Sequence, residues 1–471
     1  MSLSYCWGGD QPIKLTKTSL EGLKGGIDIQ SLPKTLTDAV KITDALGLSY
    51  IWIDALCIFQ DDAVDKETEI ARLPLYYSRN TLTLSAASAD KCTAGILYED
   101  LKVTMHGRGP FGLRFSTAAG ECMIQLFEKR STPSEPILQR AWTLQESALS
   151  RRVLAFASDE VKWYCLTGYA VCSDGPTSLD SVSSTYIRPI DTSLGPDHNL
   201  TLPAWNGVVS RMTSRRLTVE SDKLLAVSAL ASRIYEGGMS ENAGLVYAAG
   251  LFVVPDNEFS WIGPLLWIPN CVTARRSGVY RAPSWSWACL DTDVAISNLE
   301  TLIPYKGSGY KYNQCFEILS HQIDLSIPSA PFGGVKAAKI HIDCMMRLLS
   351  GKEDFEVTFI ESSLPLNRHL TMQPRPSRNE LYLLPDTRDD KASMQKAMEG
   401  GERVYLMGLL PWWLNASRCW PAVGLALREA PDAGADNFRR IGIFAFYGTC
   451  NDAGLAALAA FFTIEGAVFL V

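Results

Sequence analysis

Arg140, Trp142 and Glu146 stand within seven consecutive residues, Arg140-Ala141-Trp142-Thr143-Leu144-Gln145-Glu146, in a segment that reads as a helix. Residues four apart share a helix face, so Trp142 and Glu146 can line one pocket wall. A carboxylate held beside an indole loses water, and desolvation raises its pKa. A Glu in that condition can bind a sugar hydroxyl or stabilise a developing cation. A buried Trp with an exposed Glu on an ordinary amphipathic helix produces the same letters, so the motif is weighed by the company it keeps.

The first 160 residues alternate strand and helix signals. Leu3-Ser4-Tyr5-Cys6 reads as a short strand, followed by a turn at Gly8-Gly9-Asp10. Pro33 opens a helix to about Leu46, and Gly47 ends it. Tyr50-Ile51-Trp52-Ile53-Asp54 reads as an apolar strand ending in a carboxylate. A helix pattern over Asp65–Tyr77 is weakened by Pro74. Strands are expected at Thr81–Ala86 and Arg152–Phe156, with a strand-rich insertion over 99–135. Continuous apolar strands separated by helices predict a parallel sheet covered on both faces.

The polar stretch over 171–204 reads as a loop or linker, and 205–235 as helical, within a helical and mixed region to 300. Strand signals at 313–327, 335–347, 354–359, 403–410 and 439–447 predict a β-rich region over 301–471, sandwich-like or barrel-like. Ser284-Trp285-Ser286-Trp287 alternates with period two, which suits a strand burying both Trp in packing between the two halves.

Composition narrows the function class. The 471 residues suffice for two or three domains. A net charge of -7 with no Lys/Arg stripe argues against a general nucleic-acid binder. Twelve Cys are scattered without Cys-x-x-Cys pairs or Cys/His clusters at zinc spacing, so no metal is expected. Many sit in apolar runs, which points to a reducing compartment, the cytosol or nucleus, with a cytoplasmic location favoured. The N-terminus carries no signal-peptide pattern. The tail Ala456–Phe462 is too short to span a membrane and reads as a core element.

Several motifs converge in order and spacing: Ser4-Tyr5-Cys6-Trp7-Gly8; Leu32-Pro33-Lys34-Thr35-Leu36 with Asp38-Ala39; Trp52-Ile53-Asp54-Ala55-Leu56-Cys57-Ile58 with Gln60-Asp61; and Arg140–Glu146 followed by Arg152-Val153-Leu154. Together they closely resemble the fungal heterokaryon incompatibility (HET) domain over residues 1–170. Arg215-Arg216-Leu217-Thr218 with Asp222-Lys223, and Tyr280–Trp287, resemble elements that follow that domain in many fungal proteins. The resemblance implies a self/non-self recognition protein whose relatives trigger cell death when incompatible cells fuse. It also implies a distant likeness to the TIR fold, a flavodoxin-like α/β domain. Some TIR domains cleave NAD with a Glu in a Trp-Cys-x-x-Glu helix. Trp142 and Glu146 are similar in type and place, with Thr143 where that pattern has Cys. Family members usually carry a segment ahead of the first strand, so the resemblance implies a short member or a truncated start.

In an open α/β sheet, ligands bind at the carboxyl ends of the strands. That rule gathers Tyr5, Trp7 and Gly8, which follow one strand, with Asp54, which ends another, and with Arg140, Trp142 and Glu146. Two carboxylates, aromatic walls and a Gly turn suit a ribosyl or adenine ligand, with NAD as a candidate substrate rather than a bound cofactor. N-glycosidic cleavage passes through an oxocarbenium-like state that a carboxylate stabilises. Glu146 would hold the ribose hydroxyls and stabilise the cation, Trp142 or Trp7 would stack on a ring, and Asp54 would position the loop or ligand. Each residue has a structural alternative: Asp54 as a cap or as a buried partner of Arg140, Trp7 and Trp52 as core, Arg140 as a fixture for either carboxylate. Cys6 and Cys57 as nucleophiles need a His partner, and the five His lie far away in sequence. Three functions compete: a nucleotide hydrolase, a non-enzymatic domain acting by self-association or on an incompatibility partner protein, and an enzyme of specialised metabolism, which predicts an enlarged apolar cavity.

Overall fold

A computed structural model describes residues 1–97, 111–117, 120–126, 135–158, 161–165, 168–171, 198–238, 244–254, 259–270, 273–296, 315–328, 330–351, 355–360, 379–410, 413–414, 419–420, 422–447 and 461–471. The chain divides into two compact units, Met1–Asp191 and Thr192–Val471. The 172–197 part of the expected linker and much of the 99–135 insertion lie outside the described residues.

The first unit is built on a sheet of five short strands: β1 (Ser2–Ser4), β2 (Thr83–Ser85), β5 (Arg152–Phe156), β6 (Val161–Cys165) and β7 (Gly168–Val171), in that order. β1, β2 and β5 are parallel; β6 and β7 then return antiparallel. The expected parallel sheet is therefore a mixed one. The expected strand over Tyr50–Asp54 is reduced to one parallel bridge, Ser2 with Trp52, made by Leu3 N to Trp52 O at 2.9 Å and Trp52 N to Met1 O at 2.8 Å. It is cut short because the chain turns at once into the helical turn α3 (Asp54–Cys57). A hairpin of β3 (Phe111–Thr117) and β4 (Gly120–Leu126) confirms strand structure inside the insertion.

Alternation along the short strands decides which helix covers which face. Leu3, Leu84 and Leu154 pack with Leu36, Ala39 and Ile42 of α2 (Lys34–Ala45). Those positions recur at helical spacing on α2, so one apolar stripe meets one apolar sheet face. The helix ends as expected: Gly47 takes φ +67, Gly47 N bonds Asp44 O and Leu48 N bonds Thr43 O, a left-handed cap suited to Gly. The opposite sheet face carries hydroxyls. Ser2 Oγ donates to Tyr76 O on α4 (Ala63–Arg79), and Thr83 and Ser150 share a 2.5 Å hydroxyl contact just past α5 (Trp142–Leu149). Side chains this small let α4 and α5 approach the sheet closely. α4 is capped by Asp62, whose carboxylate accepts from Val64 N and Asp65 N, and it runs through Pro74 without ending there.

The second unit contains helices His198–Thr213 and Leu225–Gly238, as the 205–235 pattern implied, and an eight-stranded sheet. Within it, Val335–Leu348, Val404–Leu410, Ala422–Glu429, Asn437–Tyr447 and Ile464–Leu470 pair in sequence, and the last pairs back with the first. That closure makes the barrel-like alternative the observed one. Phe444, Phe446, Phe461 and Phe462 pack in its core, so the described end of the apolar tail is a core element.

Ser284–Trp287 does not form the expected strand: Ser286 caps a 3-10 turn, Trp287–Cys289. Both Trp are fully buried, but their polar partners lie within the second unit. Trp285 Nε1 donates to Leu470 O and Trp287 Nε1 to Gly250 O, because a buried indole N–H needs an acceptor wherever one is offered. Beside them Arg440 is wholly buried. It meets Asp386 through two hydrogen bonds of 3.0 and 3.1 Å, donates to Leu265 O and Trp267 O, and lies 3.3 Å from the Trp267 ring centre. Removing one member of a buried pair strands the other charge. Arg440→Met is therefore expected to destabilise the second unit by about 3–5 kcal/mol, read as a lowered urea midpoint at unchanged slope. A loss below about 1 kcal/mol would show that Asp386 finds water or another partner.

Candidate functional site

The carboxyl edge of the parallel strands collects the polar residues of the first unit. β1 ends at Ser4, and its Oγ donates to Glu146 Oε2 at 2.5 Å, tying α5 to the strand. Tyr5 follows, buried, with its hydroxyl donating to Gln11 Oε1 at 3.1 Å and its carbonyl accepting from Arg140 Nη1. The half-buried Trp7 donates its indole N–H to Asp54 Oδ2 at 2.9 Å. The other Asp54 oxygen accepts from Ala55 N at 2.6 Å. Gly8, at φ +70, brings the chain against the loop after β2: a Cβ there would lie 2.1 Å from Lys91 Cβ, so only Gly fits.

Tyr5, Trp7, Gly8, Asp54, Arg140 and Glu146 thus share one edge. Trp142 occupies the first turn of α5 and is half-buried; none of the interactions described for Glu146 involves its indole. Two further groups act on Glu146 that the sequence reading did not assign to it. One is Ser4. The other is Tyr77 on α4, buried, whose hydroxyl donates to Leu3 O at 3.2 Å and also acts on the Glu146 carboxylate. Ser4 had a signal, since it alternates with Leu3 at the end of a strand. Tyr77 had none, because only the packing of α4 against α5 brings it close.

The electrostatics follow from burial, with one cation acting on two acids. Loss of hydration pushes Glu146 up to about 7, and Asp54 adds to that; the Ser4 and Tyr77 hydroxyls and the Arg140 charge oppose it. Asp54 is raised by burial as well, against the pull of Arg140, the Trp7 N–H, Ala55 N and Tyr5. Both residues keep some exposure, so the carboxyl groups sit beneath a partly open edge. Burial also raises the Cys6 and Cys57 thiols, the opposite of an activated nucleophile. Cys6 packs with Ala87, Ile137, Val153 and Tyr164 as a small core residue. Trp52 is a packing residue, stacked on Tyr76 with ring centres 5.0 Å apart. Among the described residues no group of three His, Cys, Asp or Glu is placed to hold a metal ion.

A second polar cluster fastens the loop that faces Gly8. Asp38 on α2 is fully buried and accepts from Ile96 N at 2.9 Å, Leu97 N at 3.0 Å and Lys34 Nζ at 2.5 Å. Burial pushes it up, but the ammonium and the two amides together hold it below the ordinary carboxylate range. The Leu32–Ala39 motif is thus structural: it anchors the 91–97 loop that frames the edge.

The heterokaryon incompatibility protein (HET) family model matches residues 1–146. Residues 1–146 are a HET domain. The matched stretch closes on Glu146, so it contains every residue of the edge just described. The match supports a heterokaryon incompatibility-type function in general. No curated protein and no solved structure matches the chain. Among the described residues no helix is long and apolar enough to cross a membrane.

The raised Glu146 carries a stability signature. Between the free value of 4.5 and about 7 the folded HET domain holds this proton more tightly than the unfolded chain. Stability from this group is therefore present below 4.5 and lost as pH rises through 7, by roughly 3 kcal/mol in total. Glu146→Gln should raise the melting temperature at pH 8 and leave it nearly unchanged at pH 4.5. Equal shifts at both pH values would mean that Glu146 titrates normally.

Proposed function

We propose that the HET domain hydrolyses the N-glycosidic bond of a nicotinamide dinucleotide, with Glu146 as the catalytic carboxylate, and that loss of the substrate drives an incompatibility or cell-death response. The observation that carries this reading is a carboxylate held near pH 7 at the carboxyl edge of parallel strands, in company with Asp54 and Arg140. Perturbed titration in such a place is what a catalytic group requires. The order of the parallel segments supports a flavodoxin- or TIR-like reading: the Trp52 segment, β1, β2 and β5 lie side by side in that order, the beginning of a 2-1-3-4 arrangement whose ligand crevice lies at the β1/β2 switch. The antiparallel β6 and β7 are where this sheet departs from that plan.

The chemistry needs little beyond that edge. The bond from ribose C1′ to the pyridinium nitrogen breaks, and its electron pair neutralises the ring, so nicotinamide leaves without a proton. The ionised Glu146 faces the positive charge that develops on the ribose and accepts from its hydroxyls. Water adds to C1′ and gives up a proton to solvent. Arg140 holds the Tyr5 turn, and through it the Trp7–Asp54 bond, in register. Trp142 and Trp7 supply aromatic surface, and the close turn at Gly8 leaves backbone exposed to the ligand.

Ionised Glu146 is the active form, so kcat/KM should rise with pH through about 7 and then level. Glu146→Gln should lower nicotinamide release by at least a hundredfold while the domain stays folded. Release by the variant equal to that of the parent, or none from folded parent at high concentration with crowding, would remove the enzymatic reading. One observation favours a second reading: the 2.5 Å Ser4–Glu146 bond also serves as a plain fastening of α5 to β1. In that reading the domain acts by self-association, and Ser4→Ala and Glu146→Gln would change assembly rather than turnover.

A further inference from the structure

We propose that the second unit binds a phosphate-bearing small molecule of nucleotide size in a cation-lined cavity separate from the Glu146 edge. The cavity measures about 620 Å³, within the range of small-ligand sites. One wall is the outer face of the sheet. Gln322 and Asp324 pair with Lys339 and Ala337 on neighbouring strands, and Phe469 comes from the Ile464–Leu470 strand. The opposite wall is the 276–284 segment, with Tyr280 and Val279 more than half exposed at the rim.

Charge sets the ligand class. Five cations line the cavity, Arg276, Arg281, Lys339, Arg428 and Arg439, against one acidic side chain, Asp324. Two of the five are committed to the fold: Arg276 to Asp390 at 2.8 Å and Arg281 to Asp291 at 2.5 Å. Of the other three, Arg439 is ion-paired as well, and Lys339 and Arg428 make no ion pair among the described residues. Lys339 is exposed, lies over the Phe469 ring at 5.2 Å and makes no ion pair among the described residues. Arg428 donates to the Ser393 hydroxyl at 3.0 Å, and Arg439 meets an exposed Asp432.

Arg428 and Arg439 are also direct partners in the antiparallel ladder. Like charges placed opposite each other repel; the Asp432 carboxylate, 2.5 Å from Arg439 and acted on by the Arg428 charge as well, offsets part of this from an exposed position. An anion bound there offsets the repulsion that one exposed carboxylate leaves, and guanidinium forks match phosphate oxygens. Tyr280 at the rim offers a face for a ring, which makes a nucleotide a better occupant than inorganic phosphate.

The test is calorimetric titration of the whole chain with ATP, tripolyphosphate and adenosine. ATP should bind more tightly than tripolyphosphate, adenosine should not bind measurably, and affinity should fall steeply with salt. The double variant Arg428→Gln/Arg439→Gln should weaken ATP at least tenfold. Tyr280→Ala should weaken ATP and spare tripolyphosphate. Glu146→Gln should leave ATP binding as it was, which separates this site from the HET edge. Absence of binding by both ATP and tripolyphosphate, loss of ATP binding in Glu146→Gln, or an unchanged affinity in a folded double variant overturns the proposal. If the double variant melts early, Lys339→Gln, at an exposed position, decides instead: at least threefold weaker ATP binding supports the site, and unchanged binding overturns it.

Discussion

Two carboxylates withdrawn from water, each acted on by the Arg140 charge, set the terms for the rest of the HET domain. Asp54 and Glu146 come from segments 92 residues apart, and each is raised by loss of hydration. A burial of this kind is tolerated only where hydrogen bonds and an opposite charge offset part of the cost. The fold supplies them from every element that reaches the edge: Ser4 from β1, Trp7 from the turn after it, Tyr77 from α4, and Arg140 from the approach to α5. The hydroxyl face of β1 and β2 follows from the same constraint, since only small polar side chains let α4 and α5 lie close enough to place those groups.

The second unit solves a similar problem differently. Its buried cation, Arg440, is fully paired and hydrogen-bonded, and the Trp285 and Trp287 indoles beside it each reach a backbone carbonyl. Such a network rigidifies because every member is satisfied. The HET edge leaves its acids incompletely neutralised, and the cavity in the second unit leaves Lys339 and Arg428 without a carboxylate partner among the described residues. Residual charge of opposite sign therefore marks the two places where the chain departs from a purely structural solution.

Much of this was legible in the chain. The α2 stripe, its Gly47 stop, the helix pattern over Asp65–Tyr77 and the long strands of the second unit all follow from periodicity and local turn chemistry, which act over a few residues. Asp54, Arg140 and Glu146 were recognisable as candidates because the rule about strand ends needs only strand positions. The Tyr50–Asp54 strand and the Ser284–Trp287 strand were misread for one reason: a short apolar run records burial, not hydrogen-bond partners. Helix Arg388–Met398 and strand Ala422–Glu429 carry signals that were passed over in a mixed region.

The sequence by itself determined the HET family of the N-terminal region, the residue types at its edge and the β-rich character of the second half. These depend on local order and spacing. Only the tertiary structure decided that Tyr77 and Ser4 attend Glu146, that the sheet turns antiparallel after β5, that the barrel closes, and that Arg428 faces Arg439. Each of those rests on contacts between segments far apart in the chain. Their geometry is set by how helices and strands pack, which no short window of residues encodes.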